Sequence, residues 1–160
     1  MTISVLSAAK VIGVLSGWSK THLQLQKIIY LNHMVCLWAE DEPLVQGGFE
    51  AWDFGPVHPE LYAVAKIFGS SPVRDIFHNA PTVDPNAREY ATLKAGYEKL
   101  GHLTGGQLVH ATHRPGGAWE SVYVPGIRHA REQRQIGHRV GHWGSPAWPQ
   151  PPFSRCEQLT

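Results

Sequence analysis

Residues 49–62, FEAWDFGPVHPELY, restrict the backbone of this chain more tightly than any other stretch. From Phe49 to Phe54 apolar and polar residues alternate, which is the period of a short half-buried strand. Gly55 and Pro56 then break regular structure, because glycine tolerates unusual φ while proline fixes its own and lacks an amide hydrogen. Pro59 suits the first turn of a helix, and Glu60 complements the positive end of that helix. The expected arrangement is a strand, a rigid corner and a helix start, with Trp52, Phe54 and Tyr62 gathered at the corner. Two roles stay open for these aromatics: core packing alone, or anchors of a binding surface.

The residues before this joint read as two helices. Residues 3–15 place Val5, Leu6, Ala9, Ile12 and Leu15 near one face at helical spacing, with Ser4 as a cap and Gly17 as a stop. From Thr21 to Pro43 the chain reads THLQLQKIIYLNHMVCLWAEDEP. Thr21 is an N-cap, Leu23, Ile28, Leu31, Val35 and Trp38 form an apolar stripe, and Pro43 ends the run. This is the longest helix expected, and Gln26 and Tyr30 share one of its faces.

After the joint, residues 60–68 continue as a helix to Gly69, and residues 74–78 add a short turn. Residues 79–86 carry two prolines among turn formers and read as a loop. Residues 87–100 form an amphipathic helix stopped by Gly101, and residues 105–113 form a shorter one ended by Arg114-Pro115-Gly116-Gly117. Residues 118–125, AWESVYVP, alternate partly and are read as a short strand or an irregular arm. Residues 127–140 are polar, with Arg128, Arg131 and Arg134 recurring every three residues. From Gly137 onward the chain becomes an extended tail rich in proline and tryptophan, including Trp143, Trp148 and Phe153. The expected division is a globular part, 1–136, and that tail, 137–160.

A chain of 160 residues with 42% hydrophobic and 17% charged residues describes one folded domain with an ordinary core. The formal net charge is +1, so no bulk field favours nucleic acid or a membrane. The charge is uneven: residues 1–100 hold 8 Lys/Arg and 10 Asp/Glu, net −2, and residues 101–160 hold 6 Arg and 3 Glu, net +3. The two cysteines, Cys36 and Cys156, lie far apart with no ligand spacing, so a reduced, cytoplasmic setting is the expectation. The first residues match neither a signal peptide nor a membrane span.

No catalytic motif emerges. Glycine-rich phosphate loops and the nucleophile elbow are missing from the sequence. Cys36 sits between Val35 and Leu37 on an apolar helix, which marks an inert thiol. Among ten histidines, His110 and His113 stand three apart on a helix, but a zinc site needs three or four ligands. No metal and no cofactor are therefore expected. The acidic run Glu40-Asp41-Glu42 closes a helix and reads as solvated charge. A second ordered corner follows at residues 112–126, THRPGGAWESVYVPG, where Trp119 is either a core plug or a partner contact.

Three blocks, taken in order, resemble the Panacea domain of SocA-like antitoxins, a family that includes prophage-associated GepA-like proteins. They are LQLQKIIYL at 23–31, PLVQGGFEAWDFGPVHPELY at 43–62 and LVHATHRPGGAWESVYVPG at 108–126. The middle block is the specific one, and it is similar to the family's Glu-x-Trp-x-x-Gly-Pro-Val-x-Pro-x-Leu-Tyr. The family's Gly-Pro-Trp stands here as Gly117-Ala118-Trp119, and the tail from Gly137 has no counterpart.

The resemblance implies a mainly α (α+β) fold, a compact bundle of about five to six helices with a small β element around residues 49–54 and 118–124. It implies a non-enzymatic antitoxin that neutralises a cognate toxin by direct contact, in one mode as an adaptor handing the toxin to a host protease. The motif positions give the expected partner-binding residues: Gln26, Lys27, Tyr30, Trp52, Gly55, Pro56, Val57, Tyr62, His113 and Trp119. The tail is a second candidate contact, and pairing of copies through it is left open. The rival reading is a regulator that binds nucleic acid through the stripe from Arg128 to Arg139, with affinity falling steeply in salt.

Overall fold

The computed structural model describes residues 2–123 and Pro125. The arginine stripe, Cys156 and the 137–160 tail lie outside the described residues, as does the boundary drawn at 136.

Six α-helices and one two-stranded antiparallel sheet make up the described fold. It is mainly α with a small β element. Helix α1 (Val5–Leu15) begins where the Ser4 hydroxyl accepts the Leu6 amide, and the backbone beyond Ser16 turns left-handed at Gly17. Helix α2 (His22–Glu40) starts with a reciprocal cap: the Thr21 hydroxyl accepts the Gln24 amide, and the Gln24 carbonyl oxygen accepts the Thr21 amide. Such a cap satisfies two donors that a helix start otherwise leaves unpaired.

Helix α2 departs from the simple stripe expected of it. Leu25, Ile28, Ile29 and Cys36 face the core, but Gln26, Lys27, Asn32 and His33 are equally buried, and Trp38 is 46% exposed. The helix is central rather than peripheral, packing against α1, α4, α5 and β2. A helix enclosed on several sides loses the single apolar face from which amphipathic periodicity is read. Helix α4 (Arg88–Leu100) lies close against it at Gly96, where a β-carbon would meet the Asn32 side chain at 1.8–2.4 Å.

Strands β1 (Glu50–Trp52) and β2 (Gly55–Val57) pair antiparallel, Glu50 opposite Val57 and Trp52 opposite Gly55. Gly55-Pro56 therefore opens a second strand instead of interrupting regular structure. Proline's missing N–H is tolerated in a two-stranded sheet because both strands are edges. Gly55 supplies the φ of +101° that returns the chain from the Asp53-Phe54 turn. Helix α3 (Pro59–Ala65) follows with Pro59 in its first turn and runs into a tighter 3-10 turn, Lys66–Phe68. Residues 74–78 form no helix; the Asp75 carboxylate accepts the Phe77 amide across a bend.

Helix α5 (Gly105–Thr112) is capped by Thr104 and Gln107 in the same reciprocal way as α2. The segment expected as strand or irregular arm is instead a short helix, α6 (Ala118–Val122). A strand there would need an edge to pair with. The helical turn lets the Tyr123 amide bond back to the Trp119 carbonyl at 2.9 Å and leaves both rings free to stack.

Candidate functional site

The residues of the three sequence blocks converge on the β1–β2 hairpin, which α2 supports from within and α5 and α6 flank. Gln26 grips both backbone groups of one residue, His58, where the chain leaves β2. Its carbonyl oxygen accepts the His58 amide at 2.8 Å, and its amide nitrogen donates to the His58 carbonyl at 3.1 Å. A side-chain amide thus takes the place of a neighbouring strand. The His58 ring is in turn fixed against the Gln46 carbonyl at 2.9 Å, and burial pushes its pKa down.

One helical step further, the Lys27 amine donates to the Pro56 carbonyl at 2.8 Å. Lys27 has no exposed surface, and burial lowers its pKa to about 7. Desolvation disfavours the charged form of a lysine, so near neutral pH this group is divided between ammonium and amine. Tyr30 completes the row with its ring edge-on to Phe49 at 5.2 Å, and burial raises its pKa.

Above this base lies an aromatic array. The Trp52 ring meets Tyr62 edge-on at 4.7 Å, and its indole N–H donates to Glu50 at 2.7 Å. Trp119 lies between two parallel neighbours, His113 at 3.9 Å and Tyr123 at 4.2 Å. Its N–H donates to the Trp52 carbonyl at 2.9 Å, and the Tyr123 hydroxyl donates to Asp53 at 2.7 Å. The hydrogen bond to Asp53 raises the Tyr123 pKa. His113 is pushed the other way, by burial first and then by Lys27 and His110.

All ten expected partner-binding residues belong to this hairpin region, but they divide by depth. Gln26, Lys27, Tyr30, Trp52, Gly55, Pro56 and Val57 are buried, whereas Tyr62, His113 and Trp119 are partly exposed. In this conformation the surface is formed by the second group together with Asp53, Tyr123 and Phe54, whose side chain is 70% exposed at the turn. Sequence reasoning singled out neither Asp53 nor Tyr123 as site residues. Their bond joins positions 70 apart, and no local pattern encodes such a pairing.

His110 is exposed on α5 and does not join His113 in a donor set. Among the described residues no group of three or more His, Cys, Asp or Glu is placed to hold a metal. Nor is any described helix long and apolar enough to cross a membrane.

Comparison with known proteins gives a consistent picture. The family model for the SocA-like antitoxin Panacea domain matches residues 25–120, from the first turn of α2 to α6. Antitoxin SocA of Caulobacter vibrioides (strain NA1000 / CB15N) is 32% identical over 112 residues, 64% of this chain and 59% of that protein. No solved structure matches.

Proposed function

The chain belongs to the SocA-like antitoxin family defined by the Panacea domain, and from that premise we propose that it is an antitoxin that neutralises a cognate toxin by direct contact. The family match is the observation that carries this reading. The geometry around the hairpin supports it by supplying a contact surface. Phe54 and the stacked His113, Trp119 and Tyr123 present aromatic surface, of which Trp119 and Tyr123 are fixed in place by hydrogen bonds and His113 by stacking on Trp119. Rigid aromatics lose little conformational entropy when a partner docks, and they recur at the energetic centre of protein interfaces.

In this reading the buried residues of the motif have a positioning role. Gln26 and Lys27 hold β2 against α2, Gly55 allows the approach, and Trp52 fixes the height of Trp119. The protein is not an enzyme, and its mode of neutralisation is either occlusion of the toxin or delivery to a protease. A cytoplasmic setting fits both modes.

The test is coexpression of the adjacent open reading frame with and without this chain. Growth arrest that this chain relieves, with both proteins purifying as one complex, is the expected result. A harmless neighbour that forms no complex would overturn the proposal. Truncation before Gly137 then separates two contact regions: a fall in affinity assigns part of the interface to the tail, and unchanged affinity confines it to the hairpin side.

A further inference from the structure

Holding β2 against α2 asks only for a hydrogen-bond donor, yet the residue that does it is a titratable one. Lys27 has no exposed surface, and its amine donates to the Pro56 carbonyl at 2.8 Å. The end of α5 lies against the same place. A β-carbon added at Gly55 would stand 2.9 Å from Lys27 Cε and 3.2 Å from His113 Nε2, so the lysine stem and the imidazole nitrogen meet across one glycine. That nitrogen is buried without a hydrogen-bond partner, and the ring is held by stacking on Trp119, centroids 3.9 Å apart.

Two bases this close hold one proton between them far more readily than two, and they titrate as a pair. A second positive charge calls for a carboxylate, and those on the surrounding elements are engaged elsewhere. Asp53 on the hairpin turn accepts the Tyr123 hydroxyl, Glu50 on β1 accepts the Trp52 indole, and Glu120 on α6 accepts the Gly116 amide. His110 within α5 and Arg114 just beyond it are themselves basic, and His22, at the start of α2, meets Tyr62 edge-on at 6.0 Å. Burial first, then Lys27 and His110, lower the His113 pKa, and burial brings that of Lys27 to about 7. Protons are therefore contested close to neutrality.

We propose that Lys27 and His113 form a proton-sensitive latch beneath the aromatic stack. The imidazole lies flat on Trp119 while the pair holds no more than one proton, and it swings out to solvent when both groups are charged. The ring is the part that moves, because Lys27 is enclosed and bonded to Pro56 whereas His113 is partly exposed at a helix end. In place, a charged imidazole would turn a buried N–H without an acceptor towards an ammonium; in water the same N–H is solvated. The attraction of a cation for the indole face is the smaller effect. Departure of the ring uncovers one face of Trp119, whose N–H bond to the Trp52 carbonyl fastens α6 to β1, so the change reaches the hairpin. The closed form binds fewer protons than the open one, so acid opens the latch and alkali closes it. That the latch tunes toxin contact rests on the function proposed above; the latch itself does not.

The purified full chain, labelled with 15N, is titrated from pH 8.5 to pH 5. Two signals are read by NMR: the imidazole of His113 and the indole N–H of Trp119, the latter assigned by its loss in Trp119→Phe. They are expected to move together, with a midpoint below the ordinary histidine value of 6.5. Lys27→Met keeps the length of the side chain and removes the charge, and is expected to shift both midpoints up towards that value. Should that variant not fold, His113→Phe keeps a ring for the stack and removes its proton, and is expected to make the Trp119 signal independent of pH over this range. A Trp119 signal that stays fixed while His113 titrates, midpoints in Lys27→Met equal to the parent's, or a Trp119 signal that still titrates in His113→Phe would overturn the latch. Affinity for the cognate toxin, the product of the adjacent open reading frame, is then measured at both ends of the range and is expected to be weaker at the acid end. Equal affinity would leave the latch standing and remove its link to toxin contact. A complex that forms at neither pH counts against the antitoxin reading alone.

Discussion

The indole N–H of Trp119 donates to the backbone carbonyl of Trp52 at 2.9 Å, a bond between residues 67 apart that fastens α6 to β1. It sets the height of the His113–Trp119–Tyr123 stack above the hairpin. Trp119→Phe keeps an aromatic ring for the stack and removes the donor. The expected loss is about 1 kcal/mol of unfolding free energy, the ordinary net worth of such a bond. Urea denaturation measures it, and a midpoint equal to that of the parent would mean the bond contributes nothing.

Phe54 offers a contrast, because at 70% exposure it does little for the fold. Phe54→Ala is expected to leave the urea midpoint unchanged within error. In the toxin-contact proposal it lowers affinity for the toxin by at least tenfold, about 1.4 kcal/mol, as loss of an interface aromatic does. Calorimetric titration with the cognate toxin reads this directly. Full affinity in the variant would move the contact away from the hairpin turn.

Gln26 is a larger test of the interior. Its replacement by leucine of similar size leaves both the His58 amide and the His58 carbonyl without their buried partner. Each orphaned group costs about 1–3 kcal/mol, so Gln26→Leu is expected to lose about 2–5 kcal/mol. A loss under ~1 kcal/mol would show that water replaces the side chain there.

Gly55→Ala strikes the same joint from the other strand. Its φ of +101° lies where side-chain-bearing residues are strained, and the new methyl would press on Lys27 Cε and Thr112 Oγ1. The expected cost is on the order of 2–3 kcal/mol. Amide exchange across β1 and β2 is expected to accelerate more than exchange in α4, since the damage starts in the hairpin.

These four positions also mark what the sequence could and could not disclose. The ends of the helices were legible because local chemistry sets them: Ser4 and Thr21 cap as expected, and Pro59 and Gly101 stand at a helix start and a helix end. The hairpin was half legible. Alternation pointed to β1, but the Gly-Pro signal spoke for an interruption, and only the pairing of Trp52 with Gly55 makes it a strand. Residues 118–122 misled because five residues cannot distinguish a strand from one helical turn; the stack of Tyr123 on Trp119 decides it. The motif residues were identified, but not their depth. Burial of Lys27 and Gln26 on a polar face of α2 depends on β2 covering that face, which helical periodicity does not report.

The depth of Lys27 has a consequence for pH. Unfolded, the amine takes its ordinary pKa of 10.5, and folded it is lowered to about 7. Between those values the unfolded chain binds more protons, so this group makes stability rise as pH climbs from 7 towards 10.5. Below about 7 both states are protonated and its full penalty applies. At 1.36 kcal/mol per unit that penalty is about 5 kcal/mol. Lys27→Met removes the penalty together with one bond to Pro56, worth about 1 kcal/mol. The variant is therefore expected to be the more stable protein at pH 7. Its advantage should shrink steadily as pH approaches 10, where the parent amine is neutral in the folded state. Urea midpoints for both proteins at pH 7, 8.5 and 10 decide the matter. A constant gap would mean that Lys27 stays charged in the folded protein, with a counter-charge already beside it.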